Sequence, residues 1–282
     1  MPQKILRLGM TECSLLFIYW LNNYKKINNN ELNDSNNNLI KWLYTTSGYY
    51  DKTQQGTYFN VEHNNSNIPI VYNTYIEEIF DFIKNADIYN YKFHNFTLKN
   101  ELEEFKNYIN PVKESHLTQE IVFDFIKDKK ILIICPFSPL IKYQLESGNC
   151  KNIYNTTPNV KSICIYKFPY TFFNNGPHNN LLETKEYIFN DIIDNIKDEY
   201  DSVLISCGAY GCLMAKKFYN IGKNVCIIGG DIQTFFGILN GRTKELFQEN
   251  NIQIQNKESW ILNIPDEYKP ENYMKIENGC YW

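Results

Sequence analysis

Two apolar runs, each followed by glycines, constrain the fold of this chain more than any other feature. The stretch from Asp201 to Arg242 reads D-S-V-L-I-S-C-G-A-Y-G-C-L-M-A-K-K-F-Y-N-I-G-K-N-V-C-I-I-G-G-D-I-Q-T-F-F-G-I-L-N-G-R. Its apolar runs are residues 203–205 and 225–228, and a helical pattern closed by Gly222 lies between them. Strand, glycine turn, helix, strand and glycine turn is the order of a parallel α/β sheet, which presents N–H groups and a helix N-terminus to an anionic ligand. A functional site is therefore expected at the carboxyl end of this sheet.

The rest of the chain extends this pattern. Residues 131–135 and 161–168 predict two further buried strands, with helices over 140–146 and 180–198. Helices are also predicted over 11–24, where Thr11 would be the N-cap, and over 39–46, 71–86, 98–109 and 118–127. We predict one α/β domain over 1–282, Rossmann-like and doubly wound, with a mainly parallel sheet. It comprises a mainly helical part (1–128), a Rossmann-like core (129–259) and an aromatic C-terminal tail (260–282).

The charge balance restricts the classes of partner. The net charge is −4 and the isoelectric point is near 5.7, which argues against nucleic-acid binding, because that needs clustered cations. A hydrophobic fraction of 43% with 21% charged residues is typical of a globular protein. No signal peptide opens the chain and Leu15–Leu21 is too short to span a bilayer, so we expect a cytoplasmic protein without a transmembrane segment. The sequence does not indicate the oligomeric state.

The eight cysteines form no C-x-x-C pair. Several lie in predicted buried runs (Cys135, Cys164 and Cys226), which indicates reduced cysteines in the core rather than a zinc site. Cys207 and Cys212 flank a glycine turn, where a helix N-terminus would activate a thiol, but packed structural cysteines are the favoured interpretation.

Three segments carry the candidate site residues. The first is the turn formed by Gly208, Ala209, Tyr210 and Gly211, where a nucleotide diphosphate could bind. Its G-x-x-G spacing differs from the G-x-G-x-x-G of dinucleotide sites, so NAD is not expected. Haem is not expected either.

The second segment places Arg7, Gly9 and Glu12 at a strand-to-helix junction. One interpretation has Arg7 on a phosphate and Glu12 as a metal ligand or an acceptor for a sugar hydroxyl. The other, favoured on spacing alone, has Glu12 capping the helix and pairing with Arg7.

The third segment contains Gly229, Gly230, Asp231 and Gln233, and Arg242 follows it. Two glycines after a strand permit close backbone approach, and Asp231 could hold a metal or ribose hydroxyls, or could simply cap a helix. Arg7 and Arg242 are the only arginines of the chain, and arginine is the better bidentate partner for phosphate.

The aromatic residues Trp260, Tyr281 and Trp282 could stack on a sugar ring, but a tail that seals the core is the favoured interpretation. The four histidines, His63, His94, His116 and His178, stand in no recognisable hydrolase motif, and no G-x-S-x-G is present.

Five segments in order support a resemblance to a known family. They are R-L-G-M-T-E, I-L-I-I-C-P-F-S-P-L-I-K-Y-Q, D-S-V-L-I-S-C-G-A-Y-G, G-K-N-V-C-I-I-G-G-D-I-Q-T-F-F-G-I and the terminal E-N-G-C-Y-W, with S-G-Y-Y at 47–50. The chain resembles a family of proteins found in polysaccharide and surface-glycan gene clusters, which is similar in turn to the GT-D glycosyltransferase fold. The resemblance covers nearly the whole chain, as a single GT-D-like domain.

The resemblance implies a glycosyltransferase of polysaccharide biosynthesis that moves a sugar from a nucleotide-sugar donor to a glycan or other hydroxyl acceptor. GT-D enzymes hold a divalent metal, Mn²⁺ or Mg²⁺, through the D-x-E of an R-F-G-D-G-E motif. Arg7, Gly9 and Glu12 match that motif, and Met10 stands in place of its Asp. Either Asp231 supplies the missing ligand, or the reaction needs no metal, or catalysis is lost. Glu12 and Asp231 are thus the candidate catalytic residues and metal ligands.

Two alternatives remain open. One is a different sugar-modifying transferase on the same fold, and the other is a catalytically inactive protein that binds a nucleotide or carbohydrate.

Overall fold

A computed structural model describes residues 2–27, 33–45, 70–109, 116–171, 178, 181–271, 273–275 and 277–282. The S-G-Y-Y motif at 47–50, the polar stretch over 54–69 and His63 therefore lie outside the described residues.

The described residues form six strands and eleven α-helices. The strands are β1 (Lys4–Arg7), β2 (Asp87–Tyr89), β3 (Lys130–Cys135), β4 (Ser162–Lys167), β5 (Ser202–Ile205) and β6 (Asn224–Ile227). The helices are α1 (Met10–Trp20), α2 (Asp34–Thr45), α3 (Ile70–Phe80), α4 (Lys99–Ile109), α5 (Gln119–Ile126), α6 (Ser138–Glu146), α7 (Asn149–Tyr154), α8 (Leu181–Asn195), α9 (Tyr210–Asn220), α10 (Ile232–Phe235) and α11 (Gly241–Glu249).

The strands form one sheet in the order β2-β1-β6-β5-β3-β4, and every neighbouring pair is parallel. This confirms the predicted α/β class and its Rossmann-like, doubly wound architecture. β1 and β2 come from residues 1–128, the part predicted to be mainly helical. That part therefore supplies the two strands at one edge of the sheet.

The inner strands β3, β5 and β6 are nearly continuous buried runs because both faces of the sheet are covered there. Successive residues of β3 alternate between two buried clusters: Leu132 and Ile134 belong to one, and Ile131 and Ile133 to the other. The first cluster, face A, is completed by α1, α3, α4, α8 and α9. The second, face B, is completed by α5, α6, the start of α7, α10 and the C-terminal tail.

The chain changes face at the strand neighbours β1 and β6. After β1 it enters α1, which packs on face A, and after β6 it enters α10, whose Ile232 packs on face B with Phe236 beyond it. β5, on the other side of β6, leads to α9 on face A. Connections that leave neighbouring strands toward opposite faces open a crevice at the carboxyl ends, where ligands bind in open α/β sheets.

Several boundaries differ from the predictions. Gly9, not Thr11, occupies the N-cap position of α1, so the Thr11 prediction is wrong. α2 begins at Asp34 rather than residue 39, and the helix predicted to run to residue 86 ends at Phe80 in a turn. The sequence reading missed β2 and α7, because an edge strand of three residues and a helix of six are too short to show a period.

The C-terminal tail closes face B. Trp282 is 8% exposed, packs against Phe137, Tyr170 and Tyr273, and donates from Nε1 to the Tyr268 carbonyl at 2.7 Å. This confirms that the tail seals the core. None of the described helices combines the length and the apolar character needed to cross a bilayer.

Candidate functional site

Three connections meet around the carboxyl end of β6. Arg7 is the last residue of β1, the 208–211 turn follows β5, and the 229–231 turn follows β6. Because β6 lies between β1 and β5, these are the loops that a ligand in the crevice would contact.

Arg7 lies directly against Gly229. A Cβ at Gly229 would be 2.8 Å from Arg7 Nη1 and 3.0 Å from its Cδ, and Gly229 has a φ of +73°. Only glycine provides both the backbone conformation and the space for the guanidinium there. Gly229 is also bonded to the residue that follows β5, since the Ser206 hydroxyl donates to the Gly229 carbonyl at 2.7 Å. Gly229 thus contacts both the end of β1 and the end of β5.

The Arg7 guanidinium is ion-paired with Asp231. Arg7 Nε lies 3.6 Å from Asp231 Oδ2, and the two side chains are 27% and 40% exposed. The Nε atom is buried and makes no hydrogen bond within the described part of the chain. Arg7 is therefore held by its packing against Gly229 and by the 3.6 Å ion pair with Asp231, and its side chain remains partly exposed to solvent.

Glu12 folds back over the start of α1. A Cβ at Gly9 would collide with the Glu12 carboxylate, so the glycine of the R-x-G-x-x-E motif makes room for its glutamate. The carboxylate is close enough to raise the pKa of three neighbours that burial has already raised, Cys13, Tyr75 and Cys212. Glu12 therefore lies toward α3 and the first turn of α9, on the face A side of the crevice.

The 208–211 turn is built for close packing. Gly208 is exposed with a φ of +57°, while Ala209 and Tyr210 are 2% and 1% exposed. A Cβ at Gly211 would lie 3.3 Å from Ile227 Cγ2, so this glycine lets α9 approach β6. The amides of Tyr210 and Gly211 donate to the carbonyls of Cys207 and Gly208 within the turn. A ligand at this turn would meet the Gly208 backbone first.

The remaining predicted residues lie on the face B side. Gln233 is 1% exposed; its Nε2 donates to the Tyr281 carbonyl and its Oε1 accepts from Asn240 Nδ2, both at 2.8 Å. A Cβ at Gly230 would lie 3.0 Å from Tyr281 Cε1, and the Arg242 guanidinium carbon is 5.0 Å from the centre of the Tyr281 ring.

The cysteines flanking the turn are core residues. Burial raises the pKa of both Cys207 and Cys212, so neither thiol is activated by the helix N-terminus. No disulfide joins any of the eight cysteines, all of which lie in the described residues, and all but Cys280 are buried.

Three histidines fall within the described residues, and each lies within hydrogen-bond distance of a polar side chain. His94 Nδ1 lies 3.0 Å from Ser14 Oγ, His116 contacts Asn90 and His178 contacts Thr184. Burial lowers the pKa of His94.

The donor set for the metal implied by the resemblance is incomplete in the described part of the chain. No group of three or more His, Cys, Asp or Glu side chains could hold an ion there. Asp231 already pairs with Arg7, and Met10 replaces the expected carboxylate and is 47% exposed. The described residues therefore do not supply the pair of carboxylates that such a metal would need.

Sequence reasoning missed Ser206 and Tyr75. Ser206 directly follows the buried strand β5, so the strand-end rule that identified Gly208 could have found it. Tyr75 lies within α3, far in sequence from the site, and no local signal marks it.

A groove of about 540 Å³ lies at the opposite, amino-terminal edge of the sheet. Its rim includes Lys130, whose Nζ pairs with Glu199 at 2.7 Å, and Lys223, which donates to the Tyr200 carbonyl. Both lysines are already bonded to residues that line the groove. The groove is therefore a suitable place for control variants, and it is not a second candidate site.

Fold and site together define a Rossmann-like α/β protein with a partly exposed arginine at a point where neighbouring strands lead to opposite faces of the sheet. The chain matches no protein-family model, and neither the curated proteins nor the solved structures searched contain a significant match to it.

Proposed function

We propose that this protein is a glycosyltransferase that uses a nucleotide-sugar donor. The observation that carries the proposal is the Arg7 guanidinium, set against Gly229 at the carboxyl end of β6. A delocalised cation beside a glycine turn, where the chain changes face, suits the diphosphate of such a donor.

In this proposal the diphosphate lies along the 208–211 and 229–230 turns. Arg7 neutralises the charge that develops on the leaving diphosphate as the bond between the anomeric carbon and the phosphate oxygen breaks. The acceptor hydroxyl forms the new bond to the same carbon and passes its proton to a carboxylate. We assign that role to Glu12, whose carboxylate lies against Gly9 at the start of α1, directly after the strand that ends in Arg7.

A second candidate function is a protein that binds the nucleotide sugar without turning it over. The exposed Met10, in place of the carboxylate that the resemblance implies, favours it. A different sugar-modifying transferase would bind the same donors and differ in its product. Mass spectrometry of the products after incubation with donor and acceptor separates the three outcomes.

The test of the site is a thermal-shift panel of UDP-, GDP-, CMP- and TDP-sugars, with and without Mn²⁺. A ligand at 100 times its dissociation constant stabilises the folded state by about 2.7 kcal/mol, which gives a clear shift in Tm. We expect one nucleotide family to stabilise the protein and Arg7→Ala to abolish that shift.

The matched control is Lys130→Ala, which removes a cation from the opposite edge of the same sheet. It should leave the shift unchanged. No shift with any nucleotide sugar, or a shift that Arg7→Ala leaves intact, would remove the proposed site.

A further inference from the structure

The penultimate residue, Tyr281, lies against the glycine turn that follows β6. A Cβ at Gly230 would be 3.0 Å from Tyr281 Cε1. Gly229 is the contact of Arg7, so two adjacent glycines receive an arginine and an aromatic ring. The C-terminal end of the chain thereby becomes part of the crevice.

Buried hydrogen bonds fix the backbone at Tyr281. Its carbonyl accepts from Gln233 Nε2 at 2.8 Å, and Gln233 is itself held by Asn240 Nδ2 at 2.8 Å. Asn240 also caps α11, accepting from the Thr243 amide at 2.9 Å. One amide network thus joins the α10 and α11 segments to the last residues of the chain.

Tyr281 in turn carries Arg242. The guanidinium carbon of Arg242 lies 5.0 Å from the centre of the Tyr281 ring, and Nη2 is 3.4 Å from the phenol oxygen. The Arg242 amide donates to the Cys280 carbonyl at 2.9 Å. Arg242 is exposed, so the tail holds a cation at the surface beside the β6 turn.

Sealing of the core does not explain this arrangement. Trp282 is the buried residue of the pair at 8% exposure, while Tyr281 is only half-buried. Tyr281 packs at the edge of face B, and the network in addition fixes its ring between Gly230 and Arg242.

We infer that Tyr281 is a positioning residue: it contacts the turn at Gly230 and holds Arg242 as a second cation of the site, beside the turn that Arg7 contacts at Gly229. A second guanidinium suits the second phosphate of the proposed donor diphosphate, so pyrophosphate should bind more tightly than inorganic phosphate. This inference rests on the proposed function.

The experiment measures pyrophosphate and inorganic phosphate binding to the full chain by calorimetry. Tyr281→Leu should weaken pyrophosphate about tenfold, which is the loss of one charge-assisted contact, and change phosphate affinity less than about twofold. Tyr281→Phe keeps the ring under Arg242 and should retain most of the affinity. Arg242→Ala, at an exposed position, should reproduce the effect of Tyr281→Leu without disturbing the core.

The matched control is Trp282→Phe, which should lower Tm without changing the ratio of pyrophosphate to phosphate affinity. A ratio that stays at the wild-type value in both Tyr281→Leu and Arg242→Ala would overturn the inference and leave the proposed function standing. Wild-type stabilisation by CMP-sugars alone would overturn both the inference and the proposed diphosphate donor, because these sugars carry a single phosphate. Absence of binding to pyrophosphate and to every nucleotide sugar would overturn the proposed function itself.

Discussion

At the scale of single residues, Gly229 is needed for two reasons: its backbone conformation favours glycine, and the absence of a side chain leaves space for Arg7. Its φ of +73° costs a residue with a Cβ about 1–2 kcal/mol, and the added Cβ would also meet Arg7 Nη1 at 2.8 Å. We expect Gly229→Ala to destabilise the fold by at least that amount and to weaken pyrophosphate binding, because the guanidinium must move. Urea denaturation and calorimetry measure the two effects.

Gly222→Ala is the matched control for this prediction. Gly222 has a φ of +82°, and a Cβ there would meet nothing within 4 Å. It should show the backbone cost without any loss of binding. Equal behaviour of the two variants would contradict the Arg7–Gly229 contact.

A substitution at Asp231 distinguishes two roles for its carboxylate, partner of Arg7 or ligand of a metal. As the partner of Arg7 it competes with a bound anion, so Asp231→Asn should tighten pyrophosphate binding a few-fold. The change in stability should stay below about 1 kcal/mol, because the pair is partly exposed. As a metal ligand it would instead support binding, and the same variant would lose any stabilisation by Mn²⁺. Calorimetry with and without Mn²⁺ separates these results.

At the scale of elements, the helices on face A are joined by a buried ion pair. Lys185 of α8 has a side chain 5% exposed, and its Nζ lies 2.9 and 2.8 Å from the two carboxylate oxygens of Glu78 on α3. Lys216 of α9 donates to the Glu78 carbonyl. This group fixes α3, which carries Tyr75 toward Glu12.

Removal of the Lys185 amine should therefore destabilise the protein. We expect Lys185→Met, which keeps the apolar stem, to cost about 2–3 kcal/mol, because Glu78 and Glu186 both lose their contact with the buried amine but keep some access to solvent. Urea denaturation gives the value. Lys130→Ala, at an exposed pair, should leave the transition midpoint unchanged, and a similarly small effect of Lys185→Met would show that the pair contributes nothing.

At the scale of the whole molecule, the last residue closes one face of the sheet. Trp282→Ala removes a buried indole and its hydrogen bond to the Tyr268 carbonyl, and should cost about 3–5 kcal/mol. Thermal and urea unfolding measure this loss. An unchanged midpoint would contradict the assignment of the tail to the core.

The parts of the fold that the sequence predicted are those with a strong local signal. β3, β5 and β6 are continuous apolar runs, and Gly208 and Gly229 follow two of them, so their place at the carboxyl edge was derivable. β2 has three residues and forms a strand only because β1 pairs with it, which no local pattern reveals.

The candidate site, too, has parts that local sequence signals predict and parts that depend on tertiary contacts. The sequence by itself determined the α/β class, the buried strands and the glycine turns, because hydrophobic period and glycine conformation are local properties of the chain. Only the tertiary structure decided that β1 lies beside β6, that Arg7 pairs with Asp231, and that Tyr281 rests on Gly230 under Arg242. These contacts join residues from opposite ends of the chain, and strand order and helix packing, rather than sequence spacing, bring them together.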